Sequence, residues 1–157
     1  MMIHRIIYNC LAIHLPDTKS LKLLKHFLLK KMIAYCGEKT SPNRGSRFSS
    51  DLIIGENSGI GDNCIIYPKV KIGNNVLMAR DVIINPENHC TEPDKYINLQ
   101  PVYRNEVIIE DDVWIGARAI ICTGVKIGQG GGNRRWSGCY KRCSPRCYCR
   151  WCSGSHH

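Results

Sequence analysis

The hydrophobic rhythm of the chain changes once, near residue 52, and the change separates two kinds of element. Before it, Leu21, Leu24, Leu28, Met32 and Tyr35 recur at spacings of three and four, with Lys22, Lys25, His26 and Lys30 beside them. That spacing predicts an amphipathic helix over 19–35. Ser20 can cap its start, and Gly37 lies where such a helix would end. Two readings of its basic flank stand side by side. The helix packs on the domain with its lysine stems laid along apolar surface, or it makes peripheral contact with a membrane through 19–35. Residues 38–51 (EKTSPNRGSRFSSD) are polar and rich in turn formers, so the pattern predicts a lead-in loop there.

From Leu52 the period is six. Written in sixes, the chain runs LIIGEN, SGIGDN, CIIYPK, VKIGNN, VLMARD, VIINPE, breaks off, and resumes with VIIEDD, VWIGAR, AIICTG, VKIGQG. The third position is always apolar: Ile54, Ile60, Ile66, Ile72, Met78 and Ile84, then Ile109, Ile115, Ile121 and Ile127. The first is small or β-branched, and glycine fills the fourth at Gly55, Gly61, Gly73, Gly116 and Gly128.

Neither a 3.6-residue helix nor a two-sided strand explains a sixfold beat. A β-solenoid does, because each short strand forms one flat side and each unit ends in a turn. The first and third residues then share a strand face, so that one packs inside the coil while the other fills a corner, and glycine after the inward residue is expected to supply positive φ at the turn. The fold class is therefore mainly β, with a short N-terminal helical segment. Ten units make only about three coils if three units close a turn.

Composition refines this picture in two places. No apolar run reaches the roughly 18–20 residues that cross a bilayer, and the opening MMIHRIIYNCLAIH lacks the small-residue cleavage site of a signal peptide. A cytoplasmic protein is the expectation. The net charge of +9 is unevenly spread: residues 130–157 hold six of the 22 Lys and Arg and none of the 13 acidic residues. Cys139, Cys143, Cys147, Cys149 and Cys152 crowd the same stretch. This end differs in kind from the repeat array.

The interruption, 88–106 (NHCTEPDKYINLQPVYRNE), is where chemistry is expected, because insertions in a solenoid leave as loops on one face and such loops bind ligands. His89 stands at its root. An imidazole suits the removal of a proton from an attacking hydroxyl at neutral pH. Glu87, Glu92, Asp94 or a backbone carbonyl can orient its other ring nitrogen.

These units, with VWIGARAIICTGVKIG and SSDLIIGENSGIGDNCII, resemble the hexapeptide-repeat acyltransferases, and most of all the maltose, galactoside and capsular-polysaccharide O-acetyltransferases, over about residues 20–129. The resemblance implies a left-handed parallel β-helix with three hexapeptides per coil. It also implies a homotrimer with active sites between subunits, acetyl-CoA as cosubstrate and no metal. In that family the catalytic histidine follows the coil written here VLMARDVIINPENH, which points to His89. An aromatic at the place of Trp114 lines the site, and the backbone at the place of Ala117 runs along the pantetheine arm. Asn85 and Asn88 fall beside the acceptor pocket, whereas Asp62 and Asn63 read as ordinary turn residues.

After Gly130 the resemblance stops. The family continues with a sequence like AVIGAGAVVTKDVPP and AIVGGVPA. Codons for residues 131–145 and 147–154, read one base later, permit both stretches in order, with only Arg146 departing from the usual residue. Residues 131–157 are thus expected to be a non-native, frameshift-derived and disordered tail rather than a zinc or nucleic-acid module. The cysteine spacing does not form two separated C-x2-C pairs.

The chain divides into a helical segment and lead-in loop (1–51), a β-helix (52–130) and this tail. The expected activity is transfer of an acetyl group from acetyl-CoA to a sugar or polysaccharide hydroxyl with His89 as general base, impaired by the altered end. A non-catalytic β-helix scaffold or sugar-binding relic is the alternative, and a metal- or nucleic-acid-binding tail is a third class.

Overall fold

The computed structural model describes residues 6–8, 10, 14, 16 and 18–130, so the expectation for 131–157 lies outside the described residues. Thirteen short strands stack into three parallel sheets of five, four and four, which form the three sides of a prism. The fold is a left-handed parallel β-helix with a short N-terminal helix.

The first sheet contains β1 (Tyr35–Cys36), β4 (Ile53–Ile54), β7 (Val70–Ile72), β12 (Val107–Ile109) and β15 (Lys126–Ile127). The second contains β2 (Ser41–Pro42), β5 (Gly59–Ile60), β8 (Leu77–Met78) and β13 (Trp114–Ile115). The third contains β3 (Arg47–Phe48), β6 (Ile65–Ile66), β9 (Ile83–Asn85) and β14 (Ile120–Cys122). Within each sheet, neighbours such as Tyr35 and Ile53 or Ile65 and Ile83 are one coil apart in sequence. Three hexapeptides therefore close each turn, as the resemblance implies.

The core is a column of first- and third-position side chains. Leu52, Val70, Val76, Val82 and Val107 at first positions, with Ile54, Ile60, Ile84 and Ile109 at third positions, are almost wholly buried. Second-position residues such as Tyr35, Leu77, Trp114 and Ile120 face outward. Because β-strand side chains alternate, this inward column is the sixfold sequence pattern made physical.

The prism begins earlier than the sequence pattern suggests. Residues 34–51, expected as a lead-in loop, form a complete first coil whose β1, β2 and β3 pair with β4, β5 and β6. The expected boundary at residue 52 is displaced accordingly, and the array comprises four full coils and the start of a fifth rather than about three.

Thr40 and Ser46 occupy first positions here, and both are fully buried. Their hydroxyls are hydrogen-bonded, which makes burial tolerable. Thr40 Oγ1 donates to the Gly55 carbonyl at 2.6 Å and accepts from the Ser58 N–H at 3.1 Å. One coil on, Ser58 Oγ donates to the Gly73 carbonyl at 2.9 Å and accepts from the Val76 N–H at 3.0 Å. One corner of the prism is thus tied by hydroxyls that each bridge two backbone groups.

The glycines act differently from expectation. Positive φ belongs to the sixth position, at Lys39, Asn57, Asn63, Lys69, Asn75, Asp81, Asp112 and Arg118, and at Gly45, Gly124 and Gly130. At the fourth position, Gly37, Gly55, Gly61 and Gly73 are required by close approach instead. A Cβ on Gly55 would lie 2.6 Å from the Gly73 backbone, and one on Gly61 would lie 2.1 Å from the Ala79 carbonyl oxygen. At these two positions successive coils stack too closely for a Cβ to fit between them.

Helix α1 (Lys19–Met32) covers the first coil and packs against β2 and β1. It ends three residues earlier than expected, and Tyr35 belongs to β1. Thr18, not Ser20, stands at its N-cap, and Ile33 closes it in extended backbone with its N–H donating to the Leu29 carbonyl. The buried side chains include Leu28, Leu29, Met32 and Ile33, while Leu24 is exposed. Among the described residues no helix is long and apolar enough to cross a membrane.

Candidate functional site

The interruption leaves the prism at the corner between the third and first sheets. After β9 the chain turns at Pro86 and runs outward as β10 (Glu87–His89), which pairs antiparallel with the returning β11 (Val102–Arg104). The register sets Glu87 opposite Arg104, Asn88 opposite Tyr103 and His89 opposite Val102. Backbone bonds from Asn105 N–H to the Pro86 carbonyl at 3.2 Å and from Cys90 N–H to the Pro101 carbonyl at 3.1 Å extend the ladder at both ends. On either side of this hairpin, Val107 pairs with Val70 and the first sheet continues without a change of side.

The hairpin is fixed at its root and at its tip. At the root, Arg104 Nε donates to Glu87 Oε2 at 2.6 Å, and the Asn85 side-chain oxygen accepts from the Glu87 N–H at 3.2 Å. Towards the tip, a 3-10 turn (Ile97–Leu99) precedes Gln100, whose amide is buried. Gln100 Oε1 accepts from the Glu92 N–H at 2.7 Å, and its Nε2 donates to the carbonyls of Glu92 at 3.0 Å and Lys95 at 2.7 Å. One side chain thereby satisfies three backbone groups of a long connection. A single glutamine in a polar stretch carries no periodic signal, so the sequence pattern does not reveal it.

His89 is exposed on the face of this hairpin. Its N–H donates to the Asn88 side-chain oxygen at 3.0 Å, and Asn88 Nδ2 donates to the Tyr103 hydroxyl at 3.3 Å. Asn85, Asn88 and His89 are therefore gathered at one corner. Of the carboxylates proposed to orient the imidazole, Glu87 is engaged by Arg104 and Glu92 by Lys95 at 2.8 Å.

Trp114 and Ala117 lie elsewhere. Trp114 sits on the outward face of the second sheet beside Leu77, its partner in register, and about half of its surface is exposed. Ala117 is exposed in the turn that leads from the second sheet to the third. The corner holding His89 is opposite the second side of a three-sided prism, so one chain does not bring these residues together. Asn63 donates to Asp81 at 3.3 Å in the stacked turns, which agrees with a turn role. No cluster of metal-ligating side chains occurs among the described residues.

Comparison with known proteins follows the same lines. The family model described as the hexapeptide repeat of succinyl-transferase matches residues 51–84 and 106–130, on either side of the hairpin. A galactoside O-acetyltransferase of Lactococcus lactis is 31% identical over 111 residues, covering 65% of this chain and 51% of that protein. A galactoside O-acetyltransferase of Escherichia coli is 32% identical over 105 residues, covering 64% and 51%. The chain thus spans about half the length of the curated relatives it matches. A solved hexapeptide-repeat-containing acetyltransferase of Vibrio cholerae superposes with a TM-score of 0.51 at 19% identity, covering 81% of this chain and 73% of that one, and shares the fold. The repeat model matches both arms of the array, whose coils close in register around an extruded hairpin, and the sequence is similar to galactoside O-acetyltransferases over 65% and 64% of its length.

Proposed function

We propose that the chain is an O-acetyltransferase moving an acetyl group from acetyl-CoA to a sugar hydroxyl, with His89 as general base. The observation that carries this reading is an exposed histidine on a hairpin held at root and tip, extruded from an otherwise regular prism. A base must be accessible to the acceptor yet fixed in place. Both galactoside-acetylating relatives lend support to a sugar acceptor.

In this reaction the imidazole takes the proton of the acceptor hydroxyl as its oxygen attacks the thioester carbonyl. The tetrahedral oxyanion, stabilised by backbone N–H groups, collapses with loss of the coenzyme A thiolate, and the imidazolium returns the proton to the sulfur. Asn85 and Asn88, at the same corner, would contact the acceptor.

Trp114 and Ala117 would hold the cosubstrate from a neighbouring copy. Since the His89 corner and the Trp114 face are opposed within one prism, a homotrimer of side-by-side prisms completes each site between subunits. The requirement for acetyl-CoA accords with a cytoplasmic setting. The altered sequence at 131–157 is proposed to impair the activity, because the family's TKDVP stretch, which helps hold coenzyme A, is replaced there.

The test is thiol release from acetyl-CoA with galactosides and other sugars, using this chain and a version with the shifted reading frame restored. The restored chain is expected to turn over faster, and His89→Ala to lower kcat by about 10²–10⁴. Absence of thiol release from the restored chain, or an unchanged rate in His89→Ala, overturns the assignment.

A further inference from the structure

The N-terminal end of the prism carries apolar side chains that neither the core nor the proposed active site uses. On α1, Leu23, Leu24 and Phe27 are exposed, Leu23 at 73% and Phe27 at 53%, on the side away from buried Leu28, Leu29 and Met32. Exposed Lys22, Lys30 and Lys31 surround them, with Lys31 Nζ 5.9 Å from the centre of the Phe27 ring. The helix sequence KSLKLLKHFLLKKM has no acidic residue. Of the neighbouring acids, Glu38 pairs with Lys30 and approaches His26, and leaves the other exposed lysines of the helix to face outward.

A second segment adds to the same end. Tyr8 is buried against the first coil, its ring 5.1 Å from that of Phe48 and its hydroxyl donating to the Ser46 carbonyl at 3.2 Å. Its neighbours Ile6 and Ile7 are exposed. Two segments anchored on the first coil thus both turn apolar side chains outward.

We propose that this end docks on an anionic bilayer surface, with α1 lying in the plane of the interface. Fourteen residues are too few to span a bilayer and enough to lie along one. The apolar side chains protrude from a convex helix, as insertion between lipid headgroups requires, and the lysines are long enough to reach the headgroup phosphates while their stems stay apolar. The uniform positive charge of the helix disfavours pairing with the same end of a second copy, because like charges would face each other. Such docking would stand the prism on the membrane with its axis raised from the surface, leaving the hairpin corner open to a membrane-associated acceptor.

The test uses the full chain and sedimentation with vesicles of phosphatidylcholine alone or with about a third phosphatidylglycerol. The chain should pellet with the anionic vesicles only, and less at high salt. Leu23→Ser with Phe27→Ser should abolish pelleting, and Lys22→Glu or Lys31→Glu should weaken it by about fivefold or more. All four side chains are exposed, and unchanged circular dichroism confirms folding of the variants. The proposal fails if the folded chain does not pellet with anionic vesicles. It also fails if the helix variants pellet as well as the parent, which would assign binding to the basic 131–157 stretch, or if they alter only self-association.

Discussion

The coils and the hairpin are built on opposite terms. In the coils every strand has a parallel neighbour, inward side chains are buried, and Gly37, Gly55, Gly61 and Gly73 leave no room between successive turns. In the hairpin two strands pair only with each other, Tyr96, Ile97, Leu99 and Val102 are exposed, and order comes from the ion pairs Arg104–Glu87 and Lys95–Glu92 and one buried amide. The difference separates two duties. Stability belongs to a scaffold that tolerates little change, while the candidate chemistry sits on an appendage whose alteration the scaffold survives. The comparison can be broken by a coil substitution that costs nothing or a hairpin substitution that unfolds the protein.

The largest expected effect is at the stacked glycines. Gly55→Ala should destabilise by about 3 kcal/mol or more, or prevent folding, because the added carbon collides with the Gly73 backbone as well as with the Asn74 side chain, and the backbone cannot swing away. Gly116→Ala sharpens the point: the nearest atom to its added carbon is in the Trp114 ring, 4.0 Å away, so the change should be nearly neutral in chemical denaturation. Equal costs at the two positions would remove close coil stacking as the reason for glycine.

Next comes the inward column. Ile84 is fully buried one unit before the hairpin, and Ile84→Ala should cost roughly 2–5 kcal/mol in the same measurement.

A smaller effect concerns pH. Burial beneath α1 raises the Cys36 thiol to about 11, against the lesser opposing pull of Lys30. A raised folded pKa means that the folded state holds its proton while the unfolded chain gives it up. The contribution is therefore complete below the unfolded pKa near 9 and is lost as pH rises through about 11. Stability should fall across that window by roughly 1–3 kcal/mol, and Cys36→Ala should flatten the slope. An identical slope in the variant would contradict this.

The smallest effect on stability is expected in the hairpin. Arg104→Ala removes an ion pair that is half exposed, and should cost less than about 1 kcal/mol. If the proposed activity holds, this same variant should nevertheless slow acetyl transfer, because it loosens the strand that carries His89.

Much of this architecture is legible in the residues, and what is hidden has a physical cause. Units from Leu52 onward announce themselves because isoleucine or methionine fills each third position and branched residues fill most first positions. The first coil does not, since Thr40, Ser46 and Pro42 occupy inward places where apolar residues are expected. A hydroxyl bonded to backbone serves such a corner as well as a methyl group does, and only the three-dimensional partner reveals it. Glycine at the fourth position is visible, yet its reason is not: contact with a residue eighteen places away decides it, while the positive φ passes to Asn, Asp, Lys and Arg two residues later. The hairpin shows as a break in rhythm that singles out His89. Its pairing and the buried Gln100 leave no periodic trace.

The register of the coils also sets a rule of phase for how such a chain can change length. Pairing one turn further on, as between Tyr35 and Ile53, fixes which side of the prism each residue occupies. Adding or removing six residues within the array would rotate everything downstream by one side and carry Trp114 from the second sheet onto a neighbouring one. Whole turns can be gained or lost without that rotation. A hairpin extruded at a corner is exempt, since the chain re-enters on the side it was due to reach. The prism thus behaves as a clock whose hands may be paused at a corner but not moved between hours. New loops can be tried there without disturbing any face already in use.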